Sequence, residues 1–364
     1  MITDVPRDHP LLVQFRENPY PLYQYLLANA PVQWNDVLGA WTLARYADVA
    51  ASLTDPRFSA DRTRQSVSES SDYEFAKSML VSDPPDHTRL RALVSKAFTP
   101  RMVEQLRPRI IAIVGELLGV PAEDRVKFQQ WSAVVAASLD PLVSSELANQ
   151  VPIARDGLHR YLRGIIAERR RAPRSDLISA LVAVEERGDV LSEPERVVMC
   201  TLLLIAGHET TVNLIGNGML ALLRHADQLE KLRVEQGLIG VAIEELLRFD
   251  SPVQMTGRIA LEPVDIDGHT VQPGEWILPL LGAANHDPAQ FADPDNLDLA
   301  RNPNPHVAFG RGIHFCLGAP LARLEGQIAI GALVRRFPNL QLAGEPVRRN
   351  QITLRGLQSL PVTV

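Results

Sequence analysis

Residues 309–318 read Phe-Gly-Arg-Gly-Ile-His-Phe-Cys-Leu-Gly and contain one of only two cysteines in the chain of 364 residues. The two glycines before Cys316 permit a tight loop with positive φ, and Gly318 lets a flat, bulky group approach the backbone. A helix is predicted to begin directly afterwards, at about residue 319, and its N-terminus favours the anionic thiolate. A single thiolate is unsuited to a structural zinc site, whereas a haem iron needs only one protein sulfur.

The long apolar segment around Cys200 predicts the central helix of the protein. Its apolar run, residues 197–206, is shorter than the roughly 20 residues that cross a bilayer. A capping-box pattern at Ser192 and Glu195, with a proline between them, predicts a helix over about 193–224. Cys200 lies inside this helix, where a cysteine is expected to be an inert part of the core.

The remaining sequence predicts a mainly α fold with a small β region in one domain, residues 1–364. The helical patterns cover 20–29, 45–53, 87–97, 100–118, 122–137, 155–171, 175–187, 227–235, 238–249 and 319–336. Strands are expected at 40–43 and 351–364, and residues 264–280 read as a hairpin that turns at Asp267 and Gly268. The polar segment 58–74 and residues 285–312 are expected to be loops.

Composition narrows the class of protein. A formal net charge of −6 argues against nucleic-acid binding, and two cysteines in 364 residues argue against a disulfide scaffold. The acidic, proline-containing N-terminus lacks the features of a signal peptide. We therefore expect a cytoplasmic protein that binds neither a membrane nor nucleic acid.

Five motifs resemble those of the soluble bacterial cytochrome P450 family. Residues 309–318 resemble its haem-binding signature, with a full match at the positions the signature specifies. The others are Ala206–Thr211 of the central helix, Glu245–Arg248 as the E-x-x-R helix, Phe291–Arg301 with the arginine that completes its charge cluster, and His87–Arg91 as the haem-propionate segment. The resemblance covers nearly the whole chain and implies the P450 fold, with haem b between the central helix and the cysteine-loop helix.

The resemblance also implies roles for individual residues. Cys316 would ligate the iron, and His87, Arg91, Arg258 and His314 would be the cations that bind the haem propionates, because arginine pairs well with carboxylates. His306 and Arg311 are weaker candidates for that role. The other expected contacts with the cofactor are Ala206, Gly207, Phe309 and Gly318.

Two polar residues interrupt the apolar central helix. Burying an ionisable group such as Glu209 is costly, so its place beside Thr210 indicates a function. An acid next to an alcohol can relay protons, and reductive cleavage of O₂ on haem iron needs two of them. We therefore predict Glu209 and Thr210 as the catalytic pair, with Thr210 also able to bond back to the carbonyl of Ala206.

The predicted function is insertion of one atom of O₂ into an apolar organic molecule. Electrons would come from a separate ferredoxin-type or flavodoxin-type protein that docks on a basic patch. The patch would comprise Arg89, Lys96, Arg311 and Arg323. The resemblance implies that the substrate pocket is lined by residues 62–80, 203–211, 253–256 and 357–360. Terpenoid, steroid, fatty-acid, macrolide and aromatic substrates fit this pattern equally.

Two alternatives remain open from the sequence. The first is a peroxygenase that uses hydrogen peroxide, which would not need the acid and alcohol, and turnover with peroxide would reveal it. The second is a haem-based redox or gas sensor without enzymatic activity, in which the relay would be idle. One departure from the family concerns residues 114–121, where about one helix is expected to be missing.

Overall fold

The computed structural model describes residues 10–62, 78–99, 102–103, 125–174, 176–186 and 188–364. These residues form two compact units. The first unit draws on the described residues among 1–58, 140–142 and 210–364, and the second on those among 59–139 and 143–209. One long helix crosses from the second unit to the first between Glu209 and Thr210.

Helices dominate both units. Their bounds are α1 Pro10–Glu17, α2 Tyr20–Asn29, α3 Tyr46–Ser52, α4 Asp86–Ala97, α5 Arg125–Ala137, α6 Ser145–Arg171, α7 Leu177–Ala183, α8 Glu193–Arg224, α9 Ala226–Val234, α10 Ile239–Phe249, α11 Leu281–Ala284 and α12 Ala319–Arg336. Most of the helical predictions are confirmed to within two or three residues. The helix predicted at 100–118 lies almost wholly outside the described residues, and the predicted departure from the family at 114–121 lies wholly outside them.

The strands are short. They are β1 Val32–Asn35, β2 Ala40–Leu43, β3 Phe58–Ser59, β4 Glu185–Glu186, β5 Asp189–Val190, β6 Arg258–Ala260, β7 Val264–Ile266, β8 His269–Val271, β9 Trp276–Pro279, β10 Gln341–Leu342, β11 Val347–Arg348, β12 Leu357–Ser359 and β13 Val362–Thr363. A five-stranded sheet has the order β1-β2-β9-β6-β3. The remaining strands form two-stranded ribbons.

The predicted hairpin over 264–280 is only partly correct. β7 and β8 do pair around Asp267 and Gly268, both of which have positive φ. β9 instead leaves the hairpin and pairs in parallel with β2, Trp41 opposite Ile277, and antiparallel with β6. The turn residues determine the short hairpin, whereas β2, the parallel partner of β9, lies more than 200 residues away in the chain.

Two other predictions need correction. α6 begins at Ser145, ten residues before the predicted start, and contains Pro152 in its interior. Ser144 caps this helix by accepting a hydrogen bond from the amide of Leu147 at 3.2 Å. α7 ends at Ala183, and residues 185–186 form β4 instead of helix. Proline in a helical pattern usually marks the end of a helix, so Pro152 led to a predicted start of α6 that is too late.

The N-terminus of α8 follows the predicted capping box. The amide of Ser192 donates to Glu195 at 2.7 Å, and the amide of Glu195 donates to the Ser192 hydroxyl at 3.4 Å. α8 is long and apolar enough to cross a membrane by composition, and just over half of its most apolar stretch is buried within the protein. The buried core helix of a soluble protein has the same properties.

The main core of the first unit packs the C-terminal half of α8 against the helix that follows Cys316. Leu214 and Leu222 of α8 lie in one apolar cluster with Ile243 of α10 and with Ile330 and Val334 of α12, and all five are at most 4% exposed. This packing fixes the start of α12, and with it the cysteine loop, relative to the first unit's part of α8.

Candidate functional site

The cysteine loop has the geometry that its glycines predict. Gly310 and Gly312 have φ of +68° and +69°, and a Cβ at Gly312 would lie 2.8 Å from the carbonyl oxygen of Leu53. The amide of Cys316 donates to the carbonyl of Phe309 at 3.0 Å, and α12 begins three residues later. Substitution of Gly312 would therefore strain the loop through both φ and contact.

The two cysteines have opposite surroundings. Cys316 is exposed, whereas Cys200 is 2% exposed and burial raises the pKa of its thiol to about 12. The prediction that Cys200 is an inert core residue is therefore confirmed. At Gly318, an added Cβ would lie 3.8 Å from the Cys316 sulfur, so the glycine keeps the space beside that sulfur open.

A carboxylate that the sequence did not single out supports the same loop. Glu244 accepts two hydrogen bonds from Arg323, at 2.7 and 2.8 Å, and lies 3.1 Å from Nε2 of His306. Burial acts to raise the pKa of Glu244, but the hydrogen bonds from His306 and Arg323 lower it to about 2. The Arg323 guanidinium also stacks 4.7 Å from the centroid of the Phe309 ring.

This arrangement corrects two expectations. Arg323 was predicted in a basic docking patch, yet its charge is balanced by Glu244. His306 was a weak candidate for a haem propionate, yet its ring faces the same carboxylate. Arg89, a further predicted member of the patch, pairs with Asp189 and Glu195. The prediction of the patch counted the basic residues but could not identify their acidic partners, because Glu244 is distant from Arg323 in sequence, and Asp189 and Glu195 are distant from Arg89.

The predicted E-x-x-R cluster is present and fully buried. Glu245 accepts hydrogen bonds from Nε and Nη2 of Arg248, each at 2.8 Å, and both side chains are 0% exposed. Arg301 adds a second guanidinium to Glu245 at 3.1 Å, as the resemblance implied. Arg248 also donates to the carbonyls of Asn285 and Pro294, so the cluster ties α10 to the loop that precedes the cysteine.

The exposure and polarity of α8 change in the middle of the helix, where the proton relay is predicted. Ala206 and Gly207 are exposed although they lie in an otherwise apolar, largely buried helix, and an added Cβ at Gly207 would meet nothing within 4 Å. Glu209 is 3% exposed and Thr210 is half-buried. The helix thus presents small residues to open space, followed by an acid and an alcohol.

A second, partly buried acid, Glu325, is bonded to Thr211, the residue that follows Thr210. The hydroxyl of Thr211 donates to Oε2 of Glu325, in the second turn of α12, at 2.8 Å. Burial raises the pKa of Glu325 to about 7, although the hydrogen bond from Thr211 acts to lower it. The sequence signal was available, since Glu325 interrupts the helix between two apolar stretches, but its partner could not be identified without the fold.

The predicted propionate-binding residues fall in different parts of the chain. His87 and Arg91 are one turn apart on α4 in the second unit, and His87 is 3% exposed. Burial and the charge of Arg91 act to lower the pKa of His87, whereas Asp83 acts to raise it. Arg258 and His314 belong to the first unit, where Arg258 is 7% exposed and donates to the carbonyl of Gly257 at 2.8 Å.

These residues fit a haem. The one exposed thiol among the described residues lies in a loop held open by glycine, at the start of a helix, with space beside its sulfur. The family model described as cytochrome P450 matches residues 123–361. The chain belongs to the cytochrome P450 family.

Relatives among cytochromes P450 match almost the full chain. The biotin biosynthesis cytochrome P450 of Bacillus subtilis is 41% identical over 387 positions, covering 96% of this chain and 97% of the relative. The vitamin D(3) 25-hydroxylase of Pseudonocardia autotrophica is 43% identical, and the alignment covers 96% of this chain and 94% of the relative. The alignment with the first is longer than the 364 residues of this chain, so that relative has residues that this chain lacks.

Solved structures of cytochromes P450 are also similar to this chain. The crystal structure of P450BioI in complex with an acyl carrier protein carrying hexadec-9Z-enoic acid has a TM-score of 0.89, with 42% identity, covering 97% of this chain and all of that one. The Bacillus subtilis P450 PksS structure also has a TM-score of 0.89, with 40% identity, and the match covers 96% of this chain and 97% of that one. The predicted fold is confirmed. As a P450, the protein is a haem b monooxygenase that acts on small organic molecules with electrons from a separate redox partner.

Proposed function

We propose that Cys316 ligates the haem iron of this monooxygenase as a thiolate. The observation that carries the assignment is an exposed sulfur in a loop of positive-φ glycines, at the N-terminus of α12. A helix N-terminus stabilises negative charge, and the thiolate is the form that binds a metal. When bound, the haem activates O₂ so that one atom enters the substrate and the other leaves as water.

Four side chains are proposed for the haem propionates. Arg91 and Arg258 would supply charge, and His87 and His314 would donate hydrogen bonds. Arginine binds carboxylates in a planar, two-pronged geometry, which favours these two residues as the principal contacts. Phe309 would lie against the porphyrin, held from behind by the guanidinium of Arg323. Gly318 would leave room for the ring beside the sulfur.

Glu209 and Thr210 are proposed as the proton relay. The carboxylate of Glu209 would take a proton from solvent, and the hydroxyl of Thr210 would pass one on from Oγ1 toward the open space beside Gly207. The burial of Glu209 supports this role, since an unneeded carboxylate at that depth would be costly. Ala206 and Gly207 would leave space for O₂.

We propose an apolar substrate and an acidic electron donor of the ferredoxin or flavodoxin type, in the cytoplasm. For the donor, the cysteine loop of the first unit exposes Ile313 and Phe315, with the cation Arg311 beside them. An apolar centre flanked by charge is typical of transient docking surfaces. Arg311→Glu should slow reduction by an acidic donor at low salt, and the difference from the parent should shrink at high salt.

The activity is tested with isotopically labelled O₂ in a reconstituted system. The ferric protein is first screened with myristic acid, testosterone, vitamin D3 and a macrolide, since a substrate shifts the haem spectrum. The compound that binds is then supplied with labelled O₂ and an electron donor. One labelled oxygen atom per product supports monooxygenation. Unlabelled product, or turnover that runs only with added hydrogen peroxide, would contradict it and favour the peroxygenase.

A further inference from the structure

Three buried polar side chains and one partly exposed arginine of the first unit form a cluster that none of the predicted motifs includes. They are Asn217 of α8, Asp250 directly after α10, Arg348 of β11 and Arg355 in the segment before β12. Asp250 accepts a hydrogen bond from Nε of Arg355 at 2.7 Å and one from Nη2 of Arg348 at 3.1 Å. We call these four residues the anchor cluster.

Asn217 connects the anchor cluster to the central helix. Its amide nitrogen donates to the carbonyl of Arg355 at 3.0 Å, and its amide oxygen accepts from Nη1 of Arg348 at 2.7 Å. The side chain is 1% exposed. Because one amide bonds both arginines, replacement of Asn217 would leave buried partners without their hydrogen bonds.

The charge state of the cluster is fixed. Burial acts to raise the pKa of Asp250, but Arg355 and Arg348 lower it below the ordinary value of a carboxyl. Arg355 also donates to the carbonyls of Arg16 and Glu17 at 2.8 and 3.1 Å. The segment before β12 is thereby held by directional bonds from three sides, not by apolar packing alone.

The same face of α8 carries Thr210. Thr210, Asn213 and Asn217 are spaced i, i+3 and i+7, so they share one side of the helix. Asn213 is 0% exposed, and a Cβ at Gly356 would lie 1.8 Å from its amide oxygen. The chain that leads into β12 therefore contacts α8 within one turn of Thr210.

We propose that the anchor cluster sets the position of residues 357–360 relative to Thr210 and thereby determines which elongated substrates fit. This inference rests on the proposed function and on the expectation from the sequence that residues 357–360 line the substrate pocket. A buried ionic cluster is often no more stabilising than apolar packing, but its directional bonds can specify one arrangement. Asn217, Arg348 and Gly356 are thus positioning residues, and residues 357–360 are the segment that they position.

The test compares two ligands that bind haem iron through the same imidazole nitrogen. 1-Methylimidazole is small, whereas 1-dodecylimidazole extends an apolar chain into the pocket. Spectral titrations are run on the haem-loaded parent, Asn217→Leu, Arg348→Lys and Gly356→Ala. The control is Arg45→Gln, which removes an exposed two-pronged ion pair with Asp267 in the same unit.

The anchor variants should change the Kd of 1-dodecylimidazole by about fivefold or more, the size expected when a buried polar group loses a partner. The Kd of 1-methylimidazole should change by less than about twofold, as should both values in Arg45→Gln. Parallel changes for both ligands, or no change for either, would overturn the proposal. Arg348→Lys keeps the charge, so it reports on the bond geometry even if Asn217→Leu folds poorly.

Hydrogen exchange separates this proposal from the haem assignment. Amides of residues 356–360 should exchange faster in Asn217→Leu and Arg348→Lys than in the parent, with or without an azole. Unchanged exchange there would overturn the anchoring. If neither azole perturbs the haem spectrum of the parent, the proposed function fails, and the exchange result still decides whether the cluster holds the turn.

Discussion

The raised pKa of the partly buried acid Glu325 leads to a prediction that does not depend on knowing the substrate. Its pKa is raised from 4.5 to about 7 because burial disfavours the carboxylate. A carboxyl whose pKa rises on folding stabilises the protein while it is protonated. That contribution is fully present below about pH 4.5 and is lost as the pH rises through 7. For this shift the loss amounts to about 3 kcal/mol of unfolding free energy.

Glu325→Gln should remove this pH dependence. Glutamine keeps the shape and can still accept the hydrogen bond from Thr211, but it cannot ionise. Relative to the parent, the variant should therefore gain about 3 kcal/mol of stability between about pH 4.5 and pH 8. The exposed Glu345 offers a matched control, because Glu345→Gln removes a carboxyl that stays solvated.

The assay is urea unfolding of the haem-loaded proteins at several pH values, followed by circular dichroism. Differences between parent and variant are compared, so that effects common to both cancel. Thr211→Val should make the loss of stability with rising pH larger than in the parent. The hydroxyl of Thr211 stabilises the Glu325 carboxylate, so its removal raises the pKa of Glu325 further. A stability difference between parent and Glu325→Gln that is flat across the pH range would refute the reasoning, as would an equal trend in Glu345→Gln.

Four further predictions concern the haem site and its support. Thr210→Ala should keep haem and substrate binding but yield less product and more hydrogen peroxide per electron pair, because the hydroxyl no longer places the proton; coupling equal to the parent would count against the relay. Glu209→Gln should slow the whole cycle, since the proton supply is cut, and a peroxide-driven reaction should be less affected. Arg91→Ala should weaken haem retention by roughly 1.5–3 kcal/mol, measured by haem loss to apomyoglobin, and an unchanged rate would argue against a propionate contact. Arg301→Ala should destabilise the protein by about 3–5 kcal/mol, because Glu245 keeps a buried charge with one charged partner fewer. Urea unfolding measures this, and a change below about 1 kcal/mol would mean that Arg248, Asn304 and the amide of Asp298 satisfy the carboxylate without Arg301.

Local patterns predicted much of the fold. The capping box at Ser192 and Glu195 located the start of α8 to the residue, because its bonds join residues three apart. The i, i+3 spacing of Glu245 and Arg248 identified one face of α10 in the same way. Arg301 was added through the family resemblance, and its contact with Glu245 is confirmed.

Long-range partners could not be predicted. The parallel partner of β9 and the acceptor of the Thr211 hydroxyl depend on how distant segments meet, and periodicity carries no such information. Arg323 shows the consequence, since a basic residue read as part of a docking patch is neutralised by Glu244, 79 positions earlier. The anchor cluster around Asp250 escaped notice for the same reason.

The most direct test of the account is the absorption of the reduced protein with carbon monoxide. Thiolate-ligated haem gives a band shifted to the red, whereas histidine-ligated haem does not. The parent and Cys200→Ala should show the red-shifted band, because Cys200 is buried and remote from the cysteine loop in sequence. Cys316→His should lose it while still binding haem. A red-shifted band that persists in Cys316→His, or its absence in the parent, would contradict the central claim that Cys316 is the thiolate ligand.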